Sequence, residues 1–248
     1  MIAAAMVAAY YVLRADMARR GLAPRDSTTA EMFVAVPALI GIVGAKLYHV
    51  LETPRDLLAD PLGQLFSRYG LAWFGGLIAG FAAFVWLARR QKFALLEVFD
   101  AGSAAAALGY GIGRVGCLLS GDGDYGTPTA LPWGMSFPRG LVPTTDRVHP
   151  TPIYELIAAC AIAWILWRLG TQQLASRRAT DTLPAGSIFA VYLVLTGVAR
   201  FLVEFIRINP RSFFGLTNAQ AASAVSVIAG AALWWHVSQM RPRKLVVS

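Results

Sequence analysis

FALLEVFDAGSAAAALGYGIGRVGCLLSGDGDYG, Phe93 to Gly126, decides how the rest of the chain is read. From Phe93 to Leu119 it is apolar over a length that crosses a bilayer, since about 20 such residues span the hydrocarbon core. Yet Arg114 stands inside it, and Cys117, Asp122 and Asp124 follow among glycines. An arginine at the centre of a membrane helix costs about 3 kcal/mol on insertion scales. Such a residue faces a cavity or a partner, or snorkels to the interface. The surrounding glycines favour the first reading, because they let backbone approach a ligand, and a guanidinium forks well onto phosphate.

Outward from this stretch the same pattern recurs. Met32–Leu51, Gly70–Ala88, Thr151–Leu169, Ala185–Ile206 and Gly215–Val237 are also long enough to span. Met1–Leu13 is short, and continuing it to Met17 with Arg14 snorkelling nearly closes the gap. No basic region precedes it, so it reads as a membrane segment and not as a cleavable signal peptide. The expectation is an all-α integral membrane protein of seven helices, or six if the first lies at the interface. It would be one polytopic domain over residues 1–248. Gly76-x-x-x-Gly80 and Gly109-x-x-x-Gly113 read as helix-packing sites.

Composition agrees. Of 248 residues, 56% are hydrophobic and 15% charged, with mean hydropathy +0.54. A soluble domain carries about a quarter charged residues. The net charge of +8 suggests nucleic acid at first sight. The cations are instead spread through short loops, with no aromatic-interleaved patch, so nucleic-acid binding is set aside. Two cysteines, Cys117 and Cys160, make neither a disulfide framework nor a metal site.

The cations alternate from loop to loop. Arg14, Arg19, Arg20 and Arg25 follow the first segment, and Arg89, Arg90 and Lys92 the third. Arg168, Arg177 and Arg178 follow the fifth, and Arg241, Arg243 and Lys244 close the chain. The other loops hold only Arg55 and Arg68, Arg139 and Arg147, and Arg207 and Arg211. By the positive-inside rule the N-terminus is outside, the C-terminus cytoplasmic, and the long loop at about 120–150 outside. Gly121, Gly123 and Gly126 would let that loop move as a lid.

Two further groups do not belong in lipid. Arg200, Glu204 and Arg207 share one helix face at spacings of four and seven, which leaves that face net positive. His149-Pro150-Thr151-Pro152-Ile153-Tyr154-Glu155 enters the fifth helix, with Pro152 suited to its first turn. Tyr154 fits an interfacial belt, whereas Glu155 at that depth wants a cation or a proton. Glu97 and Asp100 suit the N-terminal dipole of their own helix. His49 and His236 read as interfacial. No P-loop, HExxH or GxSxG motif is present, so any chemistry rests on arginine electrostatics and a general base, with no cofactor and no metal.

These residues resemble the prolipoprotein diacylglyceryl transferase family. Gly113-Arg114-Val115-Gly116-Cys117-Leu118-Leu119-Ser120-Gly121-Asp122 follows the family signature, and Gly126 resembles its closing glycine after one inserted residue. His149-Pro150 through Tyr154-Glu155, Arg200 through Arg207, and Tyr69 through Gly80 resemble three further segments in the same order. Cys117 stands where the family has asparagine, Phe74 where it usually has histidine, and a tyrosine-bearing segment before the first helix is absent. The resemblance implies a multi-pass protein of the bacterial inner membrane. It implies transfer of a diacylglyceryl group from phosphatidylglycerol to a cysteine thiol of a lipoprotein precursor peptide, with release of glycerol phosphate. On that basis Arg114 and Arg200 grip the phosphate, Glu204 orients Arg200, and Asp122, Glu155 or Tyr154 shapes the acceptor side. Arg207, Gly113, Gly126, Cys117, Phe74 and His149 line the substrate site, with Cys117 a small residue filling the asparagine's place. The replaced histidine leaves the general base unassigned, with His149 a candidate if the loop folds back. The alternatives are a divergent paralogue with another acceptor and a non-catalytic phospholipid-binding protein.

Overall fold

The computed structural model describes residues 1–24, 27–54, 57, 60–67, 72–176, 183–211 and 214–239. Arg25, Arg55, Arg68, Arg177, Arg178, Arg241, Arg243 and Lys244 of the loop-charge pattern, and Tyr69, Gly70 and Leu71, lie outside the described residues.

Among the described residues the apolar segments are all helical: α1 (Ile2–Arg19), α2 (Thr29–Glu52), a short α3 (Pro61–Phe66), α4 (Trp73–Arg90), α5 (Leu95–Ser120), α6 (Thr151–Ser176), α7 (Ser187–Val203) and α8 (Asn218–Ser238). Five of them, α2, α5, α6, α7 with its 3-10 extension, and α8, are long and apolar enough to cross a membrane. Charges limit the other two long ones: Arg14, Asp16 and Arg19 interrupt α1, and α4 ends on Arg89 and Arg90. Large apolar side chains such as Leu39, Ile78, Ile157, Trp164 and Ile228 are exposed along these helices, as expected of surfaces that face lipid rather than water. The protein is a multi-pass helical membrane protein.

The chain forms two compact units. In the unit of residues 17–98, α2 and α4 cross where glycines remove the side chains between them. A Cβ on Gly44 would lie 2.7 Å from the Gly75 carbonyl oxygen, and one on Gly75 would lie 2.4 Å from that of Gly44. Gly76 and Gly80 approach Gly41 and Pro37 in the same way, so this pair is the packing site its spacing predicts.

The other unit holds residues 1–16 and 99–248. Its core is small and aliphatic, with Ala104 and Ala107 of α5 against Ile162, Ala163 and Leu166 of α6 and Ile188 of α7. Gly111 sits where a Cβ would come within 2.8 Å of the Ala159 Cβ. Gly113 has nothing within 4 Å and Gly109 makes only ordinary contacts, so the tight α5 glycine is Gly111. Buried Asp100 caps a different helix from the one it was expected to serve. The N–H groups of Gly186 and Phe189, at the start of α7, both donate to its carboxylate at 2.9 Å, and the Gln173 amide donates at 3.1 Å. The buried carboxylate thus satisfies two of the orphan N–H groups at that helix start and suits its dipole.

The segment between α5 and α6 is a folded structure. β1 (Met135–Phe137) and β2 (Thr144–Val148) pair antiparallel. The buried ring of Tyr125 stacks on Phe137 at 5.3 Å and its hydroxyl donates to the Val142 carbonyl at 2.8 Å. Gly121 crosses Gly140 with φ +55, at a distance where a Cβ would meet the Gly140 Cα at 2.7 Å. Gly126 is pressed against the end of α7, where its Cβ would lie 2.5 Å from the Ile206 carbonyl oxygen. These two glycines serve close backbone approach, a physical reason for glycine other than lid motion.

Candidate functional site

Three elements bring charges to one place. Arg114 projects from the last two turns of α5, and Glu155 from the first turn of α6, directly after the Pro150-Thr151-Pro152 entry. The α-helix of α7 stops at Val203, tightens into a 3-10 turn over Glu204–Ile206, and leaves Arg207 extended. Arg200, Glu204 and Arg207 therefore do not share one continuous α-helical face, yet they converge because the tightened turn rotates Arg207 onto the same cluster. The interhelical loop supplies Asp124, held by hydrogen bonds from Gly126 N–H to the His149 carbonyl and from Thr127 N–H to the Ile206 carbonyl, each 2.8 Å.

The charges alternate around a closed ring. Asp124 bridges Arg114 and Arg207, one carboxylate oxygen to each. Arg114 reaches Glu155 through Nε and Nη2, both at 2.7 Å. Glu155 meets Arg200 at 2.9 Å, Arg200 meets Glu204 at 3.0 Å, and Glu204 meets Arg207 at 3.5 Å. A cross-tie of 3.6 Å joins Arg207 to Glu155. Three arginines and three carboxylates sum to zero, so the net positive face expected from Arg200–Arg207 alone is balanced by Asp124 and Glu155. Such balance is what lets six charges stay at low dielectric. Around the ring, the Tyr110 hydroxyl donates to Glu155 Oε1 at 2.6 Å and the Asn209 amide donates to Glu204 Oε1 at 2.6 Å. The side chains of Glu204, Glu155 and Arg207 are at most 4% exposed, Arg114 is 12%, and only Arg200 at 28% and Asp124 at 32% open outward.

Of the residues singled out in the sequence, Arg114, Glu155, Arg200, Glu204 and Arg207 form the ring. Cys117 touches it, because Arg114 Nη1 donates to its Sγ at 3.1 Å; it occupies the asparagine position as a polar contact and not merely as filler. Asp122 is exposed and accepts the Asp124 N–H at 3.2 Å, so the loop carboxylate on the arginines is Asp124. Gly126 pairs its backbone with Arg207. Tyr154 points elsewhere: its hydroxyl accepts from Trp133 Nε1 at 2.7 Å and lies 3.2 Å from His149 Nδ1. Gly113 lines open space on α5. Phe74 belongs to the other unit, at the first turn of α4, with its ring exposed.

Asp124 was not anticipated in the ring, nor Tyr110 and Asn209 as hydrogen-bond donors to it. An intramembrane tyrosine one turn before Arg114, at i−4, was the available signal for Tyr110. Asp124 carried none beyond its proximity to Arg114. Cys117, Asp122 and Asp124 offer ligand atoms within 4.8 Å of one another, but Arg114 donates to two of the three, which disfavours a cation there.

Fold and site together define a multi-pass membrane protein with a charge-balanced arginine–carboxylate ring at one end of its helices. The chain belongs to the prolipoprotein diacylglyceryl transferase family, which it matches over residues 1–236. It is 33% identical to the phosphatidylglycerol–prolipoprotein diacylglyceryl transferase of Geobacter sulfurreducens over 85% of this chain and 76% of that one. The enzymes of that name from Clostridium tetani and a Synechococcus strain are 30% and 31% identical, over 93% and 82% of this chain and 88% and 76% of theirs.

Proposed function

We propose that this chain transfers the diacylglyceryl group of phosphatidylglycerol to the cysteine thiol of a lipoprotein precursor, and that the ring is where the lipid phosphate is held. The observation that carries this reading is the convergence of Arg114, Arg200 and Arg207, from the ends of two helices 86 positions apart at Arg114 and Arg200, on a single cluster. The relatives' names supply the reaction. In that reaction the thiol sulfur attacks the glyceryl carbon, the carbon–oxygen bond to phosphate breaks, and its electron pair leaves on glycerol phosphate. The phosphate gains charge as it departs, and fixed guanidiniums in a dry site stabilise that charge. Partly exposed Arg200 meets the phosphate first, Arg114 grips it, Arg207 assists, and Glu204 orients Arg200.

Asp122, Cys117 and Gly113 shape the substrate space, and Tyr154 and His149 the acceptor side. His149 serves as base through Nε2 if its Nδ1–H donates to the Tyr154 hydroxyl, because that tautomer leaves the Nε2 lone pair free. Seven spans, an outer N-terminus, a cytoplasmic C-terminus and an inner-membrane location complete the reading, with residues 1–248 acting as one polytopic domain.

The test is complementation of a strain depleted of the transferase, with lipidation of an acceptor followed by gel shift. The wild-type chain restores lipidation and Arg114→Ala lowers transfer by about 100-fold or more, the scale of losing one oxyanion donor. Near-full transfer by Arg114→Ala contradicts the reading.

A further inference from the structure

Asp124 is the ring member that the proposed chemistry leaves without a task. Three observations set it apart. It stands on the loop, whereas Glu155 and Glu204 stand on helical turns. Its side chain is 32% exposed, against 4% and 0% for theirs. Its backbone is held independently of its carboxylate: its carbonyl accepts from Arg207 Nη1 at 3.1 Å and from the Thr151 hydroxyl, and its N–H donates to Asp122 at 3.2 Å. The carboxylate can therefore leave the arginines by rotation about side-chain bonds while the main chain stays in place.

Its seat has the form an anion requires. One oxygen takes Arg114 Nη1 and the other takes Arg207 Nη2, so two guanidiniums on different elements form one fork. The charges also match. Three arginines with Glu155 and Glu204 carry a net +1. Asp124 brings the ring to zero, and so would the single negative charge of a phosphodiester.

We propose that Asp124 is a resident anion in the phosphate seat: its carboxylate closes the ring when no lipid is bound, and the phosphodiester of an anionic phospholipid displaces it. This inference rests on the phosphate reading of the ring and adds a residue that sets lipid affinity by competition. It also makes the contribution of nearly buried Arg207 conditional, since its Nη2 is free for the phosphate only once Asp124 has turned out.

The experiment uses the full chain reconstituted in nanodiscs containing phosphatidylglycerol, with a cysteine-bearing precursor peptide as acceptor and glycerol phosphate as product inhibitor. Asp124→Asn removes the competing charge, and its KM for phosphatidylglycerol falls by about fivefold to tenfold, the scale of one charge-assisted contact. Glycerol phosphate inhibits it at correspondingly lower concentration. Asp124→Ser shifts both constants in the same direction and guards against a folding defect in Asp124→Asn. Asp124→Glu restores the carboxylate and returns both toward wild type. If either folded variant that lacks the carboxylate shows wild-type or higher KM and inhibition constants, Asp124 is a strut for the arginines and the proposal is overturned. Arg114→Ala separates the two levels. If it leaves glycerol phosphate inhibition unchanged, the phosphate reading itself fails. If it weakens inhibition while Asp124→Asn fails to strengthen it, only the resident-anion inference fails.

Discussion

Glu155 shows what a single residue does in this site. One of its oxygens receives Tyr110 and Arg200, and the other receives Arg114, with Arg207 at 3.6 Å. A carboxylate in that position is stable only as the shared partner of several cations, which is why its depth in the membrane called for a cation from the outset. Asp124 allows a test by pH. Burial pushes its carboxyl pKa up, but the guanidiniums of Arg114 and Arg207 outweigh burial and hold it below the ordinary 3.8. A lowered folded-state pKa contributes stability above the ordinary value, and that stability is lost as pH falls through the lowered one. The groups facing it are Arg114 and Cys117 from α5, Arg207 from the end of α7, Thr151 from α6 and Asp122 from its own loop. Thermal unfolding in detergent is expected to show wild type more stable than Asp124→Asn at neutral pH, with the gap closing below about pH 4. A gap that widens as pH falls would mean the arginines do not hold Asp124 ionised.

At the scale of elements, the ring depends on one backbone junction. Gly126 lets the loop lie against the end of α7, with Ile206, His149 and Thr151 closest to its Cα hydrogen positions. Gly126→Ala would place a methyl group 2.5 Å from the Ile206 carbonyl oxygen. Backbone cannot yield as a flexible side chain does, so the cost is about 1–3 kcal/mol. The measurable outcome is a lower unfolding temperature together with reduced transfer, because Asp124 and Arg207 are displaced in common. An unchanged unfolding temperature would show that the junction is looser than its geometry.

The helices themselves were legible. Met32–Leu51 became Thr29–Glu52 and Phe93–Leu119 became Leu95–Ser120, since long apolar runs leave few alternatives in lipid. α6 runs to Ser176, beyond the expected Leu169, because hydropathy marks the end of a span and not the end of a helix. Arg114, Glu155, Arg200, Glu204 and Arg207 were legible as charges out of place. Arg200 with Glu204 was legible as an i,i+4 pair, but the long-range partners were not. Asp124 and Arg207 are 83 positions apart and Tyr110 and Glu155 are 45 apart, and no local period encodes such pairings. The hairpin of β1 and β2 was hidden for a related reason: short strands inside a loop lack the extended alternation that announces them.

For the whole molecule, exposed apolar side chains along the helices and a buried ionic ring assign opposite environments to its parts. In the proposed topology, read from the positive-inside rule, the α5–α6 loop is outside. A reporter active only outside the cytoplasm is expected to work when fused within residues 130–142 and to be silent at Lys92; the reverse pattern would invert the topology. The central claim is that arginines from the ends of α5 and α7 hold one lipid phosphate. Its most direct test is a cryo-EM map of the wild-type chain in phosphatidylglycerol nanodiscs. A headgroup phosphate is expected within hydrogen-bond reach of both Arg114 and Arg200. A map in which those guanidiniums keep only their carboxylate partners, with the lipid phosphate bound elsewhere, would contradict it.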